Sequence, residues 1–179
     1  MACDVLIFVA GMLAWSFLEY VIHAWLSHRL DTFARPLHAV HHHDPRAVFT
    51  IGAWIPVALA WTCGFALFGW TPGMVCFSGM VAGFTAYEAL HYRQHFKRPR
   101  NRLERYLRTR HLIHHHRAAH ACFGVTSPLW DMIFATEPEK SLMRQWAEAV
   151  TRVPELAGPS NLRRLLYLGI PASRAHTTR

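Results

Sequence analysis

Ten of the fourteen histidines of this chain fall into four short boxes. His23 and His28 stand five residues apart. His38, His41 and His42 form an HxxHH box, His91 and His95 an HxxxH box, and His111, His114 and His115 a second HxxHH. Imidazole is a neutral ligand that suits iron, zinc and copper. Residues three or four apart share a helix face, so each of the last three boxes is expected to point its rings one way. A spacing of five puts His23 and His28 about 140° apart on an ideal helix, so the helix is expected to end or bend between them. Ten imidazoles exceed what one ion can hold. They suit two ions with about five ligands each, or fewer with open coordination positions.

A single histidine near a membrane interface is usually only an amphipathic anchor. Dense runs such as His41-His42-His43 can bind metal adventitiously, and a pH-sensing cluster has the same composition. Four boxes that all lie at span ends or in basic segments favour a built two-metal site over these readings. His43, His116 and His120 fit no box and are possible additional contacts or surface groups. His176 lies in the tail and is not expected to ligate.

The boxes need elements to hold them. An apolar run from Val5 to about Ala24 has the length of about 20 residues that a membrane-crossing helix needs. Two more runs, Phe49 to Trp70 and Gly73 to Tyr92, are joined by the uncharged Thr71-Pro72 and read as a helical hairpin, with Pro56 placed to kink its first arm. The expectation is an all-α integral-membrane bundle with about three transmembrane helices and a histidine-rich helical cap. Residues 1–179 read as one domain, with a core of about 5–136 and a peripheral tail of 137–179. Asn101 to about Arg117 reads as a helix. Pro128-Leu129-Trp130 is apolar enough to dip into the interface. Trp146, Val150 and Val153 suggest an interfacial stripe in the tail, as do Leu162, Leu165 and Leu166.

Charge orients this bundle. Hydrophobic residues make up 52% and charged residues 17%, and the net charge is +8. Because the positive charge sits beside membrane-length runs, lipid attraction and cytoplasmic orientation explain it better than nucleic acid does. Arg93, Lys97, Arg98, Arg100, Arg102, Arg105, Arg108 and Arg110 crowd behind the third run, and the loop from Ser27 to Arg46 is basic too. The consistent topology has the N-terminus outside and every histidine box on the cytoplasmic side. The first run has no positive start and no small-residue cleavage site, so it reads as retained rather than as a signal peptide. The four cysteines form no CxxC pair, which argues against a thiolate site. No GxGxxG, P-loop or GxSxG motif is present. Glu19 and Glu88 are carboxylates at membrane depth, where ionisable groups mark function. They and Asp131 are candidates for supporting the ligands from behind, with internal hydrogen bonding or capping as the alternative. Trp15, Phe17, Phe49, Trp54 and Phe84 are candidates for guiding an apolar chain between the spans.

The boxes in their context resemble the fatty acid hydroxylase/sterol desaturase superfamily, and most closely its fatty acid 2-hydroxylase branch. The resemblance rests on LHAVHHHDP, YEALHYRQH and RHLIHHHRAAHACFGVTSPLWDMIFAT. It covers about Glu19 to Thr136. It implies an O2-dependent di-iron oxygenase that hydroxylates a fatty-acyl chain near its carboxyl or amide end. It implies His23, His28, His38, His41, His42, His91, His95, His111, His114 and His115 as ligands, although zinc can fill the same imidazoles. It implies a bacterial inner-membrane or endoplasmic-reticulum location. Long relatives carry a fused cytochrome b5-like domain for which this chain has no room, so electrons are expected from a separate cytochrome b5-like or ferredoxin-like protein. Desaturation, sterol or carotenoid hydroxylation and non-enzymatic metal binding are the alternatives.

Overall fold

A computed structural model describes residues 2–50, 62, 65, 70–150 and 166–167. The first helix, α1, covers Ala2–Val21 and continues without a break into a π-helical segment, Ile22–Arg29. Together they form a 28-residue apolar rod. The next long helix, α3, covers Trp70–Phe96. These are the two described helices long and apolar enough to cross a membrane. The helix expected over Phe49 to Trp70 lies largely outside the described residues, as do Pro56 and Trp54. Thr71-Pro72 is not a connection: it belongs to the first turn of α3, where a proline costs no internal hydrogen bond.

Glycines bring α1 and α3 together. A Cβ on Gly79 would collide with the Phe8 carbonyl, and one on Gly11 with the Cys76 carbonyl. Small residues permit such backbone approach in membranes, where packing rather than water release drives association. Further along, Gly83 lies against the Trp15 side chain. Contacts therefore advance in the same direction along both helices. This parallel packing carries His23 and His28 to the same end of the bundle as His91 and His95.

That end is capped by short helices. Helix α2 covers Ala34–His43, and α4 covers Arg102–His116. Asn101 caps α4 by accepting from the Glu104 backbone N–H at 2.8 Å. Glu104 in turn accepts from the Arg93 guanidinium at 2.7 and 3.2 Å, which ties the end of α3 to the start of α4. A short helix, α5, covers Leu129–Ile133 and leaves Leu129, Met132, Ile133 and Phe134 exposed. Trp130 anchors it to α1 by donating to Ser16 at 3.0 Å and packing on Phe17 at 4.7 Å.

Helix α6 covers Lys140–Ala149. Here the expected interfacial stripe is corrected. Leu142, Met143 and Trp146 pack on Ile113, Ala118, Ala121 and Cys122, and Val150 is fully buried. The apolar face of α6 has a protein surface to cover, so it docks inward. Val153, Leu162 and Leu165 lie outside the described residues. The non-helical pairing is a two-residue parallel bridge of β1, Phe49–Thr50, with β2, Leu166–Tyr167.

Candidate metal centre

The ten boxed histidines converge as two groups of five. His23, His28, His38, His42 and His114 form one cluster, and His41, His91, His95, His111 and His115 the other. Within each, the candidate ligand atoms lie within 4.8 Å of one another. His43, His116 and His120 belong to neither cluster and are exposed.

The boxes do not map onto the clusters one to one. Each HxxHH divides: the pair four apart, His38 with His42 and His111 with His115, enters one cluster, and the remaining histidine enters the other. A helix turns 100° per residue, so adjacent residues such as His41 and His42 diverge. Each HxxHH thus straddles both clusters and holds them side by side. The His42 and His115 rings stack at 4.4 Å across the boundary.

His23 and His28 share a cluster for a different reason. The helix does not end between them; it widens. Leu30 donates to the Trp25 carbonyl five residues back at 2.8 Å. In π geometry the i→i+5 repeat brings residues five apart onto one face. The two rings stand 5.3 Å apart. The HxxxxH spacing was the available signal for this widening.

Ring protonation follows from the partners. His23 Nδ1 lies 2.6 Å from the Phe123 carbonyl, and His114 Nδ1 lies 2.8 Å from the Ala121 carbonyl. A carbonyl oxygen only accepts, so both Nδ1 atoms carry the proton and both Nε2 atoms are bare lone pairs in the neutral rings. Yet these two Nε2 atoms are 3.0 Å apart. His38 and His42 Nε2 approach them at 3.0 to 3.1 Å. In the other cluster, His41 Nε2 lies 3.0 Å from His91 Nε2, and His95 Nε2 lies 2.7 Å from His111 Nε2. His28 Nε2 and both ring nitrogens of His115 are buried without hydrogen-bond partners. Between His23 and His114, whose Nδ1 protons are committed to carbonyls, two bare lone pairs converge with no proton between them, an arrangement that a bound cation would relieve. Two imidazole nitrogens each about 2.1 Å from one ion, at right angles, would sit about 3.0 Å apart. The donor set fits a metal in each cluster.

Burial keeps the rings outside the spans neutral. Desolvation first, and neighbouring imidazoles second, hold His38, His41, His111, His114 and His115 well below the usual histidine range. The more accessible His42 is lowered to about 4 by the same causes. Neutral imidazole is the metal-binding form.

Behind the first cluster lies the segment Ala121 to Thr126, and two of the expected carboxylates hold it. Asp131 is fully buried and accepts from the backbone N–H groups of Phe123 and Gly124 at 2.9 and 2.8 Å. It also accepts from the Thr136 hydroxyl at 2.7 Å and the Arg110 guanidinium at 2.8 Å. Arg110, itself 1% exposed, reaches Glu137 as well. Glu19 accepts from the Val125 and Thr126 N–H groups at 2.7 and 3.0 Å and from the Thr126 hydroxyl at 2.7 Å. Both carboxylates therefore reach the clustered histidines through the loop. Glu88 differs: it lines the cavity beside the clusters, and its Oε2 is buried without a hydrogen-bond partner. Sequence reading did not single out Arg110 as the partner of Asp131; in the sequence the buried Arg108 and Arg110 are indistinguishable from the exposed arginines before them.

The cavity has about 760 Å³ of empty space, its open mouth included. Trp15, Ile22, Leu37, Val48 and Phe84 supply apolar wall, and Glu19, Tyr87 and Glu88 supply polar wall. His23, His38, His41 and His91 also face it, so it touches both clusters. Of the expected chain-guiding aromatics, Trp15 and Phe84 line this space, whereas Phe17 packs outward on Trp130.

A helical membrane-type scaffold with paired five-histidine clusters beside a largely apolar cavity defines the class. Residues 8–136 match the fatty acid hydroxylase family, and the chain belongs to that family. It is 31% identical to the dihydroceramide fatty acyl 2-hydroxylase FAH1 of Arabidopsis thaliana over 155 residues, which is 78% of this chain and 63% of that protein. It is 33% identical to the fatty acid 2-hydroxylase of Mus musculus over 144 residues, 73% of this chain and 39% of that one. The solved structure of full-length scs7p, with only its hydroxylase domain visible, superposes with a TM-score of 0.69 at 27% identity. That match covers 76% of this chain and 56% of the other. The chain thus spans less than two-thirds of these relatives' length.

Proposed function

We propose that this chain is a membrane di-iron oxygenase that hydroxylates a fatty-acyl chain near its carboxyl or amide end. The observation that carries the reading is the pair of bare Nε2 atoms of His23 and His114, 3.0 Å apart with both Nδ1 protons committed to carbonyls. The names of the relatives, which hydroxylate fatty acids or dihydroceramide acyl chains at position 2, support the substrate class. Each cluster of five histidines holds one ion. The bound irons supply activation of O2 for insertion into an acyl C–H bond, with electrons from a separate donor.

The chain's own residues do the rest. Trp15, Ile22, Leu37, Val48 and Phe84 hold the acyl methylenes and exclude water. Glu19, Tyr87 and Glu88 give the cavity a polar wall against which the carboxyl or amide end is oriented. The Phe123 and Ala121 carbonyls fix the tautomer of His23 and His114 and keep their Nε2 atoms aimed at the ion. The basic residues that flank the boxes support a cytoplasmic side for the centre.

Lipid mass spectrometry on expressing cells tests the reading, with the His114→Ala variant as control. The expected result is a hydroxylated acyl product, gained with the parent chain and absent with the variant. Product that is equally abundant with the variant, or absent from both despite two bound irons, would refute it.

A further inference from the structure

Helix α5 turns an apolar face away from the protein. Leu129, Met132 and Ile133 are three and four residues apart and so share one side. Met132 and Ile133 are 57% and 58% exposed there, and Phe134 continues the patch at the helix end. Asp131 is the one charged residue from Ala121 to Thr136, and it is buried on the inner side.

The position of α5 along α1 sets its surroundings. Trp130 donates to Ser16 and packs on Phe17, and Phe134 stacks on Tyr20 with ring centroids 5.1 Å apart. Ser16 and Phe17 lie inside the apolar run of α1, about 10–12 Å before its end at Ala24. Leu13, one turn before Phe17, is exposed as Phe17 is. The patch on α5 is thus continuous with the outward surface of a helix of membrane-crossing length.

The backbone is equipped for that depth. A segment in hydrocarbon finds no water, so its N–H groups need partners within the protein. Those of Phe123 and Gly124 end on Asp131, and those of Val125 and Thr126 on Glu19. The N–H groups of Met132, Phe134 and Thr136 end on the carbonyls of Pro128, Trp130 and Asp131. At five residues, α5 is too short to cross a bilayer. The chain enters, turns and returns on the side where the histidines lie.

We propose that α5 is a re-entrant membrane element, its outer face covered by the acyl chains of the leaflet on the histidine side. The same helix carries Asp131, which holds the loop whose Phe123 carbonyl orients His23. Lipid contact on one face therefore steadies the first cluster through the other. The proposal needs α1 to cross a bilayer; it does not need the centre to be an oxygenase.

The test uses the metal-loaded full chain in phosphatidylcholine vesicles. An environment-sensitive fluorescent amino acid is placed at Met132, with Leu13 as the lipid-facing reference and the exposed Gln145 as the aqueous one. Phosphatidylcholine brominated in mid-chain quenches from the hydrocarbon, and iodide quenches from water. At Met132, bromine quenching is expected within about twofold of that at Leu13, and iodide quenching about fivefold weaker than at Gln145. Ile133→Glu puts a charge on the outer face without touching Asp131. It is expected to raise iodide quenching at Met132 and to release metal at lower chelator concentration, whereas Ile133→Leu should match the parent in both. The proposal is overturned if iodide reaches Met132 as it reaches Gln145, or if Ile133→Glu keeps both the parent's lipid contact and its metal. A label hidden from bromine and iodide alike would mark a second copy of the chain as the cover, and would overturn it too.

Discussion

Replacing Asp131 by asparagine tests how far the centre depends on residues that never touch it. The carboxylate accepts four hydrogen bonds, and it is fully buried against an arginine that is 1% exposed. The asparagine side chain would keep one acceptor, facing the Phe123 N–H and Thr136. Its amide NH2 would point at two donors, the Gly124 N–H and the Arg110 guanidinium, which the Oδ2 atom of Asp131 now serves. Breaking a buried ion pair from one side costs about 3–5 kcal/mol. Arg110 retains Glu137, which is on the accessible side, so the lower end of that range applies, about 3 kcal/mol. At roughly 2–4 °C per kcal/mol for a domain of this size, the unfolding midpoint should fall by about 10 °C. Freeing the Phe123–Gly124 backbone also loosens the carbonyl that orients His23. Supporting partners of this kind are worth about 10- to 100-fold in metal affinity. The assay is thermal unfolding in detergent together with metal content after dialysis against a graded chelator. The Asp131→Asn chain should lose metal at lower chelator concentration, and the first cluster should empty before the second. A midpoint within about 2 °C of the parent, well inside the expected fall, or loss of metal from both clusters in parallel, would refute the argument.

Glu19→Gln should be mild, within about 1 kcal/mol, because its amide keeps an acceptor for the Val125 and Thr126 N–H groups and can donate to the Thr126 hydroxyl. Glu19→Ala should cost about 2–3 kcal/mol and lower metal retention, read by the same unfolding and chelator series. Gly79→Ala should force α1 away from α3, costing about 1–3 kcal/mol and reducing metal content without touching a ligand, because a Cβ there strikes the Phe8 carbonyl. The metal-free chain should lose stability as pH falls. Its buried histidines outside the spans have folded pKa values below the unfolded value of about 6.5, so the unfolded state takes up protons first. The stability present above about pH 6.5 should decline below it and, for His42, level off once pH passes about 4. A denaturant midpoint that stays constant from about pH 7.5 to about pH 5, across the unfolded histidine value, would contradict this.

The candidate site was legible in the sequence because imidazole clustering at fixed spacing is a local signal. Four boxes name ten residues, and the same ten meet in the fold. The two described membrane-length helices were legible too, since apolar length alone marks them. Helix ends were less so: α3 runs from Trp70 to Phe96, past the apolar run on both sides, because Arg93 and Glu104 hold its last turn and Pro72 is harmless in its first.

What only the tertiary structure decided is the partition. Spacing along one helix states which rings are near one another, but an HxxHH fans across more than one direction. Whether its members share an ion depends on what packs opposite. Here the histidines of α2 and α4 meet with the π-helical segment on one side and α3 on the other, so each HxxHH serves both clusters while the π-segment pair and the α3 pair serve one each. The π-helical widening that unites His23 with His28 is a backbone choice whose advantage appears only when His38, His42 and His114 are already in place. Asp131 and Glu19 were visible as unusual carboxylates, yet their shared task, holding the loop that fixes two ligand tautomers, exists only once residues about a hundred positions apart are brought into contact. The histidine set is written in residue types; its division between two clusters is written in packing.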